Sequence, residues 1–235
     1  MTPQPIISEQ DKAQLKRTLH KDLKAQVNLK LFTQKPSPIT IHGRECAYCP
    51  QTQKLMEELA ELSPKLQLEI IDFYGQPEIA TQCGVDRIPA LLISSGGESP
   101  GVKFYGIPLR YEMATIIEDI MTISRGVSPL SMDTRKKLRQ VNQPIHIQVF
   151  VTPTCQFCPS VARLAHALAL ENQHITADVV EVQEFPALAQ RYTVRSVPLT
   201  VINEYTRFAG AMRESEFVEK VLHAGVSNTS QASKT

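Results

Sequence analysis

Two short segments of this chain carry the same arrangement of reactive groups, Cys46-Ala47-Tyr48-Cys49-Pro50 and Cys155-Gln156-Phe157-Cys158-Pro159. Cysteines three positions apart in the first turn of a helix bring their Cα atoms within the roughly 4.4–6.8 Å that a disulfide needs, so the bond can open and close without refolding. At a helix N-terminus, unsatisfied backbone N–H groups and the macrodipole favour a thiolate, drawing its pKa from about 8.5 towards 7 or below. Cys46 and Cys155, the first of each pair, are therefore expected to attack. Cys49 and Cys158 are expected to face inward and resolve the mixed disulfide formed with a substrate. Pro50 and Pro159 suit the first turn, where a missing N–H sacrifices no intrahelical bond.

The shift that carries Cys46 onto Cys155 also carries Leu55 onto Leu164, Leu59 onto Leu168, Pro77 onto Pro186, Val85 onto Val194 and Pro89 onto Pro198, without a gap. A duplicated unit keeps such a register, whereas two chance motifs do not. Each CxxC is thus followed at the same distance by an apolar-proline pair, Ile88-Pro89 or Val197-Pro198. An X-Pro bond adopts cis at a cost of only about 0.5–1 kcal/mol. A cis turn here would set Pro89 and Pro198 against the disulfides, where a residue without N–H or charge helps keep metal ions away. The backbone of Ile88 and Val197 would then pair with an extended substrate segment. The alternative is a trans proline opening an edge strand in each unit.

Hydrophobic periodicity supplies the elements that must hold these groups. An amphipathic helix is expected from Ser8, with Ser8 and Asp11 spaced as a capping box and Leu15, Leu19, Leu23 and Val27 at four-residue steps. Strands are expected over Lys30–Thr33 and Ile39–His42 in the first unit and Ile145–Val151 in the second. Helical spacing follows each CxxC. Further strands are expected at Leu68–Phe73, Thr176–Val182, Ala90–Ser94 and Leu199–Asn203, and short helices at Pro77–Cys83 and Pro186–Tyr192. Closing helices are expected at Leu109–Ser124 and Glu214–His223. The order describes an α/β unit with a mixed sheet covered on both faces, present twice. Gly126 to Pro129 mark a boundary between units 1–126 and 127–235, and the polar tail Ser227–Thr235 is expected to be disordered.

Composition removes several classes. Lys+Arg total 25 against Asp+Glu 24, so no charge excess points to nucleic acid or an anionic membrane surface. The N-terminus lacks a signal-peptide apolar core and no run reaches spanning length, so a cytoplasmic location is expected. In that compartment structural disulfides are rare, which leaves the 5 cysteines as catalytic, metal-binding or inert.

At these residues the chain resembles the protein disulfide oxidoreductases, glutaredoxin-like proteins of two tandem thioredoxin folds. The resemblance covers Ser8 to Gly225. It is sharpest in the second half, through VFVTPTCQFCPSVARLAHALALEN, DVVEVQEFPALAQRYTVRSVP and FAGAMRESEFVEKVL, and coarser in the first, through CAYC, IIDF and DRIPA. It implies thiol-disulfide exchange on protein disulfide or dithiol substrates, no cofactor or metal, and a thioredoxin-reductase-type electron donor. Cys46, Cys49, Cys155 and Cys158 match the family's redox cysteines. A related arrangement, in alkyl hydroperoxide reductase flavoproteins, normally keeps one CxxC, whereas both are intact here.

Departures accompany it. The buried acid that thioredoxins place six residues before the first cysteine is replaced by Thr40 and Val149, so the proton acceptor for the resolving thiols is not identified. Cys83, aligned with Tyr192, reads as a buried small hydrophobe, and His166 as a packing or surface residue. Asp72 and Glu181 read as solvated strand ends, and Tyr48 and Phe157 as apolar rims. The neutral Thr152-Pro153-Thr154 approach suits varied protein substrates better than Arg44-Glu45, with the first pair passing electrons to or from the second. Two rivals are a four-cysteine metal module without redox catalysis and a redox-inert binding scaffold.

Overall fold

Among the described residues, alternating and continuous apolar runs fold into eight strands. From the first half come β1 (Val27–Thr33), β2 (Leu66–Asp72), β3 (Ala90–Ser94) and β4 (Val102–Tyr105). The second half supplies β5 (Ile145–Val151), β6 (Ile175–Glu181), β7 (Leu199–Ile202) and β8 (Thr206–Ala209). The computed structural model describes residues 5–35, 42–96 and 101–232. Each half keeps the expected mixed sheet, and the two sheets are continuous in the order β2-β1-β3-β4-β6-β5-β7-β8. The join is a parallel pairing of β4 with β6, from Val102 opposite Ala177 to Tyr105 opposite Val180. β4 is buried along its whole length and β6 nearly so. Two apolar edges of this kind each offer a row of unpaired backbone groups, and pairing them with one another removes both.

Among the described residues eight helices cover the sheet: α1 (Glu9–Asp22), α2 (Cys49–Ala60), α3 (Pro77–Gln82), α4 (Tyr111–Arg125), α5 (Met132–Leu138), α6 (Cys158–Glu171), α7 (Pro186–Arg191) and α8 (Glu214–Ala232). The larger core joins Leu19 of α1, Leu55 of α2, Ile116 of α4, Leu168 of α6 and Phe217 of α8 on one face. A smaller core, around Phe32, Tyr105, Phe150 and Tyr192, lies on the face of α3 and α7.

Several boundaries differ from expectation. Ser8 caps α1 as its spacing implied, accepting from Asp11 N at 3.1 Å and donating to Asp11 Oδ2 at 2.6 Å. The helix stops at Asp22, because Lys24 N and Ala25 N are drawn to Ser124 Oγ and Val27 opens β1 instead. The strand expected over Ile39–His42 lies largely outside the described residues, and His42 stands in a turn. α5, capped by Ser131, was not anticipated. α8 continues to Ala232 through most of the tail expected to be disordered, since no proline follows Gly225 to stop it. Gly126 ends α4 in the left-handed conformation, φ 63°.

Gly106 illustrates how tightly the halves meet. Its φ is +100°, its N–H donates to Pro89 O at 2.9 Å, and a Cβ would stand 2.7 Å from Glu181 Cβ and 2.8 Å from Glu184 Oε1. Gly210, at the end of β8, donates likewise to Pro198 O at 2.9 Å, but nothing lies within 4 Å of its Cβ direction. Gly106→Ala is expected to cost about 2–4 kcal/mol, backbone strain plus overpacking. Gly210→Ala should cost only the strain, about 1–2 kcal/mol. Urea midpoints of the two variants check this; equal losses would show that the Glu181 and Glu184 side chains give way freely.

Candidate active site

β1, β4, β5 and β6 all run in the same direction. The chain therefore leaves β1 and β5 at the same edge of the sheet, and both CxxC segments lie there. Cys46 is joined to Cys49 and Cys155 to Cys158, with Cα–Cα distances of 5.4 and 5.5 Å. The helices begin one pair-member later than expected, at Cys49 and Cys158, with Tyr48 and Phe157 as N-caps and Pro50 and Pro159 in the first turn. Cys46 and Cys155 thus precede their helices, and the dipole reaches them through backbone donors. Cys158 N donates to Cys155 Sγ at 3.2 Å. In each pair the first sulfur belongs to a half-buried residue and the second to a buried one, Cys49 at 1% and Cys158 at 0% exposure. Tyr48 and Phe157, between the cysteines, are 43% and 58% exposed.

The bonds Ile88-Pro89 and Val197-Pro198 are both cis. Both prolines are buried, and Ile88 and Val197 remain half-exposed. At the second centre the Val197 carbonyl lies 3.8 Å from Cys155 Sγ, so the proline turn and the disulfide share one surface.

A strap formed by residues 106–111 runs from one centre towards the other. Gly106 N is bonded to Pro89 O in the first cis-proline turn, and Tyr111 N donates at 3.4 Å to Pro153 O, two residues before Cys155. Between them Ile107 N donates to Glu184 Oε1 at 2.6 Å. Burial and the neighbouring Glu181 push the Glu184 carboxyl up to about 7, against the pull of that N–H. Glu181 is itself 2% exposed and accepts from Gln183 N and Glu184 N. The solvated strand end expected there is a buried turn cap, because the following loop folds back under the strap. Asp72, its counterpart, is half-buried.

The strap leads into Glu112, which sequence reasoning passed over. Glu112 is 0% exposed; its Oε2 accepts from Thr115 Oγ1 at 3.1 Å and its Oε1 has no partner. Burial pushes the carboxyl up to about 7, opposed by Thr115 and by the charges of His166 and Arg163 on α6. The overlooked signal is helical: Glu112, Thr115 and Asp119 share the face of Ile116 and Ile120, an acidic stripe on the buried side of α4.

His166 is 1% exposed and packs α6 against α4, with Nδ1 2.6 Å from Asp119 Oδ2 and Nε2 3.3 Å from Lys103 O. Burial alone would lower its pKa, but the Asp119 carboxylate holds it above the ordinary value. Cys83 is a half-buried thiol outside either disulfide, against the smaller core. Arg44 stacks over Tyr74 at 4.7 Å, and Glu45 lies beside His42 and Gly43 N.

A CxxC disulfide at the mouth of a helix, with a cis-proline turn ahead of a later strand of the same mixed sheet, defines a thioredoxin-fold redox unit, and this chain contains two. The thioredoxin-domain family model matches residues 38–118 and again 145–223, and the chain belongs to that family. Its fold is similar to the crystal structure of a protein disulfide oxidoreductase from Aeropyrum pernix K1, with TM-score 0.84, 29% identity and 94% of each chain covered. It is also similar to the N-terminal domain of the alkyl hydroperoxide reductase AhpF of Enterococcus faecalis, with TM-score 0.81 and 25% identity, covering 91% of this chain and 99% of that one. Among curated relatives, an NADH dehydrogenase of Bacillus subtilis is 22% identical over 167 residues, 71% of this chain and 30% of the relative. The corresponding alkyl hydroperoxide reductase component of Staphylococcus aureus is 22% identical over 171 residues, 73% of this chain and 31% of the relative. The chain therefore spans under a third of the length of these curated relatives. Among the described residues no helix is long and apolar enough to cross a membrane.

Proposed function

We propose that the protein is a thiol-disulfide oxidoreductase acting on protein disulfides or dithiols, through Cys46/Cys49 in unit 1–126 and Cys155/Cys158 in unit 127–235. The observation that carries this is the asymmetry within each pair: an accessible first sulfur and a buried second one, beside a cis-proline turn. In the reducing direction the Cys155 thiolate attacks a substrate disulfide, forms a mixed disulfide and expels one substrate thiolate. Cys158 then attacks Cys155 Sγ, the second substrate thiolate leaves, and the substrate has gained two electrons. Cys46 and Cys49 do the same at the first centre. The backbone at Ile88-Pro89 and Val197-Pro198 takes the extended substrate segment. A thioredoxin-reductase-type donor returns the electrons.

Glu112 is the proton acceptor for the Cys158 thiol in this reading: a buried carboxylate with an unpartnered oxygen, on the helix face turned to α6. Glu58, the buried acid of α2, is committed to Ile6 N, Ile7 N and Lys12, which hold its carboxyl below the usual range against desolvation. The centres are accordingly unequal, and the second is the better resolved.

The sheet order argues against the four-cysteine metal rival and against a direct relay between the two pairs. β1 and β5 stand four strand spacings apart in the sheet order, about 19 Å at roughly 4.8 Å per spacing. Four thiolates cannot meet on one metal across that distance, and one pair cannot exchange directly with the other within a molecule. In this reading electrons pass between the centres through a substrate or a second molecule.

Thiol counting by mass tests the assignment. The oxidised protein is expected to hold both internal disulfides and the single thiol of Cys83, and the reduced protein to expose all five thiols while reducing insulin-type disulfides. A Cys46–Cys155 link, or stoichiometric zinc protecting the four CxxC thiols, would overturn it.

A further inference from the structure

On the face of α3 and α7 the two short helices leave the middle strands uncovered, and a groove of about 540 Å³ lies between them. Its floor is polar where neighbouring positions on that face, Leu92, Phe150, Val180 and Val201, are apolar. Lys103 of β4, Asp178 of β6 and Gln148 of β5 are 9%, 5% and 4% exposed. Asp178 is fully served, by Lys103 Nζ at 3.3 Å and His146 Nε2 at 2.7 Å, which hold its carboxyl below the usual range against desolvation. Two buried atoms in the groove are not served: Gln148 Oε1 and Arg87 Nη1 have no partner. The Arg87 guanidinium lies 5.0 Å from the Tyr105 ring centroid, with its other Nη bonded to Asp86. A buried polar atom without a partner is costly, so a native fold retains one where something else satisfies it.

We propose that this groove binds a small peptide-type carboxylate, whose anionic end is held by Arg87 and Lys103 and whose amide N–H is donated to Gln148. The class follows from the two unpartnered atoms. Arg87 Nη1 requires an acceptor and Gln148 Oε1 requires a donor, so a ligand must bring both. A fully deprotonated inorganic anion such as sulfate brings only acceptors and leaves Gln148 unserved. The end of a short peptide brings a carboxylate and an N–H together, and clefts of roughly 300–1,000 Å³ accommodate ligands of that size. The carboxylates present do not repel it strongly: Asp178 is neutralised on the floor, while Asp86 and Glu204 at the rim are paired with Arg87 and Arg191. The groove lies on the opposite sheet face from α2 and α6, so the site is separate from the redox chemistry proposed above. It borders that chemistry at Arg87, which directly precedes Ile88-Pro89, and at Tyr105, which directly precedes Gly106.

NMR titration of the full oxidised chain tests this with three probes: N-acetylglycylglycine, its C-terminally amidated form, and inorganic sulfate. Saturable shifts centred on the Gln148 side-chain amide and Arg87 are expected with N-acetylglycylglycine. Affinity should fall by about tenfold or more on amidation of the probe, and likewise in Gln148→Leu and in Arg87→Leu. The amidated probe needs no variant, so misfolding cannot account for its weaker binding. Gln148→Leu should still reduce insulin at the wild-type rate, and absence of that activity in the wild type would count against the redox reading and not against the groove. Sulfate binding as well as the peptide, unchanged affinity in the variants, or no saturable shift up to about 50 mM would each overturn the proposal.

Discussion

Serine in place of Cys158 is expected to turn the second centre from a catalyst into a trap. Cys155 would still attack a substrate disulfide, since its sulfur is the accessible one and Cys158 N still points at it at 3.2 Å. With no buried thiol behind it, the mixed disulfide has no intramolecular exit, and turnover at that centre should fall on the order of 10³-fold or more. Covalently held protein should accumulate on non-reducing gels and disappear on adding dithiothreitol. Cys49→Ser should trap less, because the approach to Cys46 carries Arg44 and Glu45, whereas the Thr152-Pro153-Thr154 approach is neutral and flanked by exposed Phe157 and Tyr111. Polar groups that must shed water weaken docking of an unfolded chain. Equal trapping by the two variants would show that the centres are equivalent.

Glu112→Gln should move activity and stability in opposite directions. Wild-type resolution at the second centre is expected to slow as pH falls through about 7, where Glu112 takes up a proton and ceases to act as a base. In the variant that inflection disappears and resolution slows by about 10²-fold at neutral pH, the usual weight of one positioned base. Stability follows from linkage. The folded-state pKa, about 7, lies above the ordinary 4.5, so between those values the unfolded chain loses the proton first. Stability therefore falls as pH rises through that window, and the full penalty, on the order of 3 kcal/mol, is present above pH 7. A neutral glutamine removes it. Urea unfolding at pH 7 should show the variant more stable than wild type, with the difference vanishing near pH 4. A loss of both activity and stability would mean that Glu112 is simply a structural residue.

Most of the local architecture was legible because it is written in short-range pattern. The CxxC pairs, Pro89 and Pro198 announce themselves by one repeated register, both X-Pro bonds are cis, and at the second centre the disulfide meets its proline turn. Ser8 with Asp11 marks the start of α1 as a cap. What escaped depends on contacts between distant segments. The strand Val102–Tyr105 was not among the expected elements, and nothing within it says that its second neighbour is β6. Val27 continued a helical spacing and became a strand residue because Ser124, a hundred positions away, captures the backbone of Lys24 and Ala25. Glu181 looked like a strand end in water until the strap of residues 106–111 closed over it. Glu112 looked like an ordinary first-turn acid; only the packing of α4 on α6 removes it from solvent.

If protein disulfides are the substrates, as proposed above, the common direction of β1, β4, β5 and β6 also governs how such a client polypeptide is held. Both proline turns and both accessible sulfurs open on one rim, with the emerging strands about 19 Å apart, which an extended segment of roughly six residues spans. A loosely folded client with cysteines at about that spacing can engage both centres at once. Its second attachment is then intramolecular, at an effective concentration in the millimolar range set by the intervening stretch of client. Residence on the enzyme becomes a matter of avidity, and clients with well-spaced cysteines are retained longer than the strength of either contact alone allows.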